Sequence, residues 1–155
     1  MYRQSKEVTI GSVAIGGTAP VCVQSMTNTD TMDFEATTAQ LLALERAGCA
    51  IARIAVPKIE AAEVFSYAKS NGVEIPLVAD IHFDYRIALA AVKAGADKIR
   101  INPGNIGAAD NVKAVAEACG NAGLPIRIGV NGGSLERSLI EKYGSPTPEA
   151  LCESA

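Results

Sequence analysis

A chain of 155 residues, 48% hydrophobic and 20% charged, suits one folded domain with a substantial core. Its 17 acidic and 14 basic residues leave a net charge of −3, which disfavours sequence-independent binding of nucleic acid but leaves room for a local basic pocket. No apolar run reaches the roughly 20 residues that span a bilayer, and the start Met1-Tyr2-Arg3-Gln4-Ser5-Lys6-Glu7 has no apolar signal region, so a cytoplasmic protein without membrane contact is expected.

Near the N-terminus, Val8-Thr9-Ile10 and Val13-Ala14-Ile15 flank Gly11-Ser12 and read as a small β-hairpin. Gly16-Gly17 and Pro20 end that pattern. Short apolar strands then alternate with amphipathic helices. Strands are predicted at Val21–Met26, Ile51–Val56, Leu77–His82, Ile99–Asn102 and Ile126–Asn131. Helical spacing links Ala61, Val64, Phe65 and Ala68, then Ile87, Ala90, Ala91 and Ala94, then Val112, Val115, Ala116 and Cys119. Gly48, Gly72, Gly95 and Gly123 stand where helices should end. At the tail, Thr147-Pro148-Glu149 supplies a cap, a first-turn proline and an acid for one more helix.

Strand alternating with helix implies parallel strands and right-handed crossovers. Two architectures satisfy that, a doubly wound open sheet and a (β/α)₈ barrel. The first strand–helix junction reads Gln24-Ser25-Met26-Thr27-Asn28-Thr29-Asp30, with no G-x-G-x-x-G, which disfavours the dinucleotide fold. Polar residues recur at the C-terminal ends of the strands, where barrel active sites lie. The expectation is therefore an α/β, TIM-type (β/α) barrel, incomplete at about five units where a full barrel takes about 250 residues. Residues 1–155 would form the N-terminal part of a substrate-binding domain in a truncated protein.

Strand phase locates the chemistry. Covered parallel strands should be almost wholly apolar. Here Arg100 and Asn102 alternate with Ile99 and Ile101, and Arg127 and Asn131 share a phase in the last strand. Arg53 alternates with Ile54, Asp80 shares its phase with His82, and Gln24 takes the matching place in the first strand. If the apolar phase meets the helices, these groups converge inside the barrel mouth. Arg53, Arg100 and Arg127 against Asp80 leave a cationic surplus suited to an anionic ligand, since guanidinium forks match phosphate oxygens. The plain alternative is that each arginine pairs with a structural carboxylate.

Asn131-Gly132-Gly133-Ser134-Leu135 could present backbone amides and a hydroxyl to phosphate, or form an ordinary Asn-Gly turn; Pro103-Gly104-Asn105-Ile106-Gly107 is a weaker candidate of the same kind. His82, the only histidine, is placed to donate a hydrogen bond or move a proton, or is structural. No second histidine or carboxylate cluster supports a metal site. Cys22, Cys49, Cys119 and Cys152 form no C-x-x-C pair, so neither a self-contained zinc or iron–sulfur site nor a disulfide framework is expected, and Cys119 reads as core.

The strings Val23-Gln24-Ser25-Met26-Thr27-Asn28-Thr29, Val78-Ala79-Asp80-Ile81-His82-Phe83-Asp84-Tyr85-Arg86, Arg100-Ile101-Asn102-Pro103-Gly104-Asn105 and Pro125-Ile126-Arg127-Ile128-Gly129-Val130-Asn131 resemble those of the 4-hydroxy-3-methylbut-2-en-1-yl diphosphate synthases. Lys142-Tyr143-Gly144 and Pro146-Thr147-Pro148-Glu149-Ala150-Leu151 fit as well, and the resemblance runs from about Val8 to Ala155. It implies an iron–sulfur oxidoreductase of the methylerythritol phosphate route to isoprenoids, opening the ring of 2-C-methyl-D-erythritol 2,4-cyclodiphosphate with two electrons. It further implies a [4Fe-4S] cluster held by three cysteines and a glutamate in a C-terminal domain outside this chain, flavodoxin or ferredoxin as electron donor, and a homodimer at full length. By the same resemblance Arg53, Arg100 and Arg127 hold the diphosphate with His82, Asn131 and Ser134. Asp80 and His82 are the catalytic candidates, Asp80 as an acidic group near the substrate placed for proton transfer, and Gln24, Ser25 and Asn102 shape the pocket. The chain alone would be inactive and bind no cluster.

Two other readings remain on the sequence: another phosphate-binding barrel enzyme such as a pterin-binding transferase, and a non-enzymatic half-barrel that assembles with a second copy through its open edge.

Overall fold

A computed structural model describes residues 5–155, and in it the predicted alternation is present. Strands β1 (Val8–Ile10) and β2 (Val13–Ile15) form an antiparallel hairpin in which Val8 pairs with Ile15 and Ile10 with Val13. Its turn needs a glycine: Gly11 has φ +53°, and a Cβ there would lie 2.9 Å from the Pro76 ring. Five parallel strands follow, β3 (Gln24–Met26), β4 (Ile51–Ala55), β5 (Leu77–Asp80), β6 (Lys98–Ile101) and β7 (Ile126–Ile128), hydrogen-bonded in chain order. Helices α1 (Phe34–Arg46), α2 (Val64–Ser70), α3 (Tyr85–Lys93), α4 (Pro103–Ile106), α5 (Ala109–Ala122), α6 (Arg137–Tyr143) and α7 (Pro148–Ser154) complete the order. None is long and apolar enough to cross a membrane.

Local chemistry sets the helix starts. Asp33, Asp84 and Thr147 each accept a hydrogen bond from an orphan amide of the first turn, those of Ala36, Arg86 and Ala150. Pro148 takes the first-turn position of α7, where its missing N–H does no harm.

The strand register sorts side chains into two faces. Ala52, Ile54, Leu77, Ala79, Ile99 and Ile101 face the helices and are buried with Leu41, Phe65, Ile87 and Val115 in one apolar cluster. The opposite, inner face carries two rows, Met26–Arg53–Val78–Lys98 below and Ala55–Asp80–Arg100–Arg127 nearer the strands' C-terminal ends. The hairpin plugs the lower end of this inner face: Ile10, Ile51 and Val78 are buried together, with Val13, Ile15 and Cys22 packed against them.

Several strands are shorter than the alternation predicts. β3 starts at Gln24 rather than Val21 because its ladder to β4 begins only where Gln24 meets Ile51, and Val21 and Val23 are exposed. β6 starts one residue earlier, at Lys98. His82 and Asn131 lie beyond the ends of β5 and β7, in the loops that turn toward the next helices. Pro103–Ile106 closes into a short helix rather than a plain turn, capped by Asn102.

Phe65 is fully buried among aliphatic neighbours between helix and sheet. Phe65→Ala should therefore lower the unfolding free energy by about 3–5 kcal/mol in urea titrations. A change well below 1 kcal/mol would mean that the helix-covered face is not packed as described.

Candidate functional site

Asp80 is 3% exposed, at the last rung of β5. A carboxylate so buried needs compensation, and three groups supply it. Arg100 donates through Nη1 to Oδ1 at 3.1 Å from the neighbouring strand. Arg53 Nε stands 3.4 Å from Oδ2, and His82 Nε2 stands 3.3 Å from the same oxygen. Two guanidiniums therefore share one carboxylate, and the cluster keeps a positive surplus before His82 is counted.

Neither arginine is exhausted by this pairing. Arg53 directs Nε and Nη2 at the Met26 thioether, 3.2 and 3.1 Å away, and sulfur is a weak acceptor. Arg100 Nη2 donates to the Gly129 carbonyl at 3.3 Å. Their side chains are 29% and 20% exposed, so a ligand can reach both. His82 is half exposed and lines a cavity of about 480 Å³ with Ala55, Pro57, Ile59 and Phe83, walled by the loops after β4 and β5. That cavity does not include the two arginines, which stand partly exposed around Asp80.

The surrounding loops are tied down. Thr31 donates to the Ala55 carbonyl at 2.7 Å, and the Asn28 and Gln40 amides bond to each other, fixing the segment between β3 and α1. Asn102, 5% exposed, donates to Ser134 Oγ at 2.6 Å and accepts from the Gly104 amide. Gly104 lies so close to the Ser134 carbonyl that a Cβ there would collide with it, which locks the loops after β6 and β7 together.

Some predicted site residues take other places. The Gly133 amide bonds to Asn131 Oδ1 and the Ser134 amide to the Asn131 carbonyl, so those two N–H groups are engaged within the loop rather than presented to an anion. Ser25 pairs in register with Ala52 of the helix-facing core, so it belongs to the face opposite Arg53. Gln24 and Arg127 are on the inner face but line a lower cavity of about 500 Å³ beside the hairpin, and Arg127 makes no ion pair among the described residues. Arg127 is beside Arg100 in register, yet only Arg53, Arg100 and His82 meet at Asp80.

Lys98 and Met26 belong to the inner face and were not among the predicted site residues. Lys98 is 8% exposed, lines the lower cavity with Arg127, and has no ion-pair partner among the described residues. It stands two residues before Arg100, so the same alternation that found Arg100 reaches it once the strand is begun at Lys98. Burial, and then the nearby Arg127, hold its ammonium below the ordinary value of 10.5. Among the described residues no three His, Cys, Asp or Glu side chains gather to hold a metal. Cys49 and Cys119 are buried, Cys22 is half-buried and Cys152 exposed, and no three of these or other donors gather among the described residues as an iron–sulfur cluster would require.

A five-stranded parallel sheet in chain order, packed against helices and preceded by an antiparallel hairpin, is an incomplete (β/α) barrel. Residues 5–155 match the GcpE TIM-barrel domain, and the chain belongs to that family. It is 61% identical over 153 residues to the 4-hydroxy-3-methylbut-2-en-1-yl diphosphate synthase (flavodoxin) of Histophilus somni (strain 2336). It is 59% identical over 153 residues to the enzyme of the same name from Azotobacter vinelandii (strain DJ / ATCC BAA-1303). In both cases the match takes in 99% of this chain but 41% of the relative, so the chain spans less than half the length of these curated relatives. Dihydropteroate synthase of Xanthomonas albilineans shares the fold, with a TM-score of 0.59 and 17% identity over 88% of this chain and 54% of that one.

The depressed Lys98 pKa fixes the sign of a stability effect. The folded chain releases this proton before the unfolded chain does, so the cost of the buried charge is fully present below the folded-state pKa and is relieved as pH rises to the unfolded value. Lys98→Met should thus raise stability near neutral pH by on the order of 1 kcal/mol, with the advantage shrinking in the alkaline range just below the ordinary lysine value. Urea titrations across pH would check this. Destabilisation at every pH would show that the ammonium has a counter-charge.

Proposed function

We propose that this chain supplies the diphosphate-binding part of an enzyme that reductively opens 2-C-methyl-D-erythritol 2,4-cyclodiphosphate to 4-hydroxy-3-methylbut-2-enyl diphosphate in isoprenoid biosynthesis. The observation that carries the proposal is the sharing of Asp80 by Arg53 and Arg100, which leaves cationic donors open to solvent at the strand ends. Family membership and the names of the relatives support the same reaction.

In this reading Asp80 holds the two guanidiniums in place, and their free N–H groups take the phosphate oxygens. Arg127, which stands beside Arg100 on the sheet, swings up from the lower cavity to complete the cradle. His82 donates to a ligand oxygen or carries a proton at the rim, while Asn102, Asn131 and Ser134 form the rigid wall behind it. A [4Fe-4S] cluster would supply the electrons, received from a flavodoxin as the relatives' names suggest. No three donors gather to hold that cluster among the described residues; in this reading it belongs to polypeptide beyond them, in a cytoplasmic homodimer at full length.

Phosphorus NMR titration with inorganic pyrophosphate tests the anion cup. Arg53→Ala and Arg100→Ala should each weaken binding by about tenfold, and the wild-type affinity should fall as salt is added. Equal affinity in all three proteins would overturn the proposal. After anaerobic iron–sulfur reconstitution and reduction with dithionite, residues 1–155 alone should show no stoichiometric [4Fe-4S]+ signal by electron paramagnetic resonance; a full signal would place the cluster ligands within this chain.

A further inference from the structure

Gly129 follows the last residue of β7 and continues the inner-face phase of Arg127. Its amide extends the sheet by donating to the Ile101 carbonyl at 2.8 Å, and its carbonyl accepts from Arg100 Nη2. Its φ is not in the left-handed region, so no backbone demand requires glycine here. The requirement lies in space. A Cβ at this position would stand 2.5 Å from Arg100 Nε, 2.7 Å from Nη2 and 2.9 Å from Cζ. The three nearest atoms all belong to one guanidinium, the far end of a flexible side chain rather than backbone. A methyl group would therefore displace Arg100 and leave the strand where it is.

We propose that Gly129 is a positioning residue for Arg100. The bare Cα is the shelf on which the guanidinium lies; the carbonyl below holds Nη2, Asp80 holds Nη1, and the fork keeps one orientation at the strand ends. This inference rests on the reading of Arg100 as an anion ligand, and it adds the residue that sets where that ligand points.

The test compares wild type, Gly129→Ala, Arg100→Ala and the double variant by the same pyrophosphate titration, by thermal melting, and by the Arg100 Nε–H signal in nitrogen NMR, assigned by its loss in Arg100→Ala. Gly129→Ala should melt close to wild type, shift the Nε–H signal, and bind pyrophosphate about five- to tenfold more weakly, roughly the effect of losing one charged hydrogen bond. In the Arg100→Ala background the same substitution should change binding little, because its effect passes through Arg100. An unmoved Nε–H signal, wild-type affinity in Gly129→Ala, or a full additional loss in the double variant would each overturn the inference. Should Gly129→Ala unfold, recovery of the fold in the double variant would support the clash with Arg100, and its failure to recover would refute it. If Arg100→Ala binds like wild type, the anion reading fails, and the Nε–H signal alone still decides the positioning role.

Discussion

Guanidinium groups drawn against a sheet are costly unless a counter-charge stands beside them, and the inner face of this sheet depends on Asp80 for that compensation. The carboxylate is almost fully buried at the end of β5 and reaches Arg100 on one side, Arg53 on the other and His82 above. Without it, two positive charges would repel one another at the mouth of the fold. With it, they are fixed in place while donors remain free for a ligand. The fold prepares this position by register: Asp80 pairs with Arg100 across one ladder and with Ala55 across the other, the small alanine leaving room for Arg53 to reach over from two residues earlier.

Beneath this level the inner face has a different character. Lys98 and Arg127 border a cavity walled by the hairpin and Ile51, and neither is paired among the described residues. The hairpin shields Lys98 from water without offering it a carboxylate. The upper level thus combines excess cation with solvent access, as an anion site requires, whereas Lys98 at the lower level is a buried cation beside an exposed Arg127, and its burial costs stability.

Much of the fold was legible because it is written in local patterns. Helix starts at Asp33, Asp84 and Thr147 follow from one side chain meeting one amide. The parallel sheet follows from strands alternating with helices. Arg53, Asp80 and Arg100 were legible because period-two alternation decides which face a strand residue takes. Periodicity does not decide how far a long side chain bends along that face, which is why Arg127 could be placed beside Arg100 but not found turning toward Lys98. A motif string does not carry strand phase, so the helix-facing side that Ser25 takes is read only from its pairing with Ala52. The Met26 sulfur against Arg53 and the bare surface of Gly129 under Arg100 are contacts between strands, visible only once the register is known.

The most direct measurement is a crystal structure of the chain with inorganic pyrophosphate. The account predicts density at the C-terminal strand ends, with oxygens within hydrogen-bond distance of both the Arg53 and Arg100 guanidiniums and Asp80 still between them. Pyrophosphate seated instead against Lys98 in the hairpin cavity, or guanidiniums turned away from a ligand bound elsewhere, would contradict it.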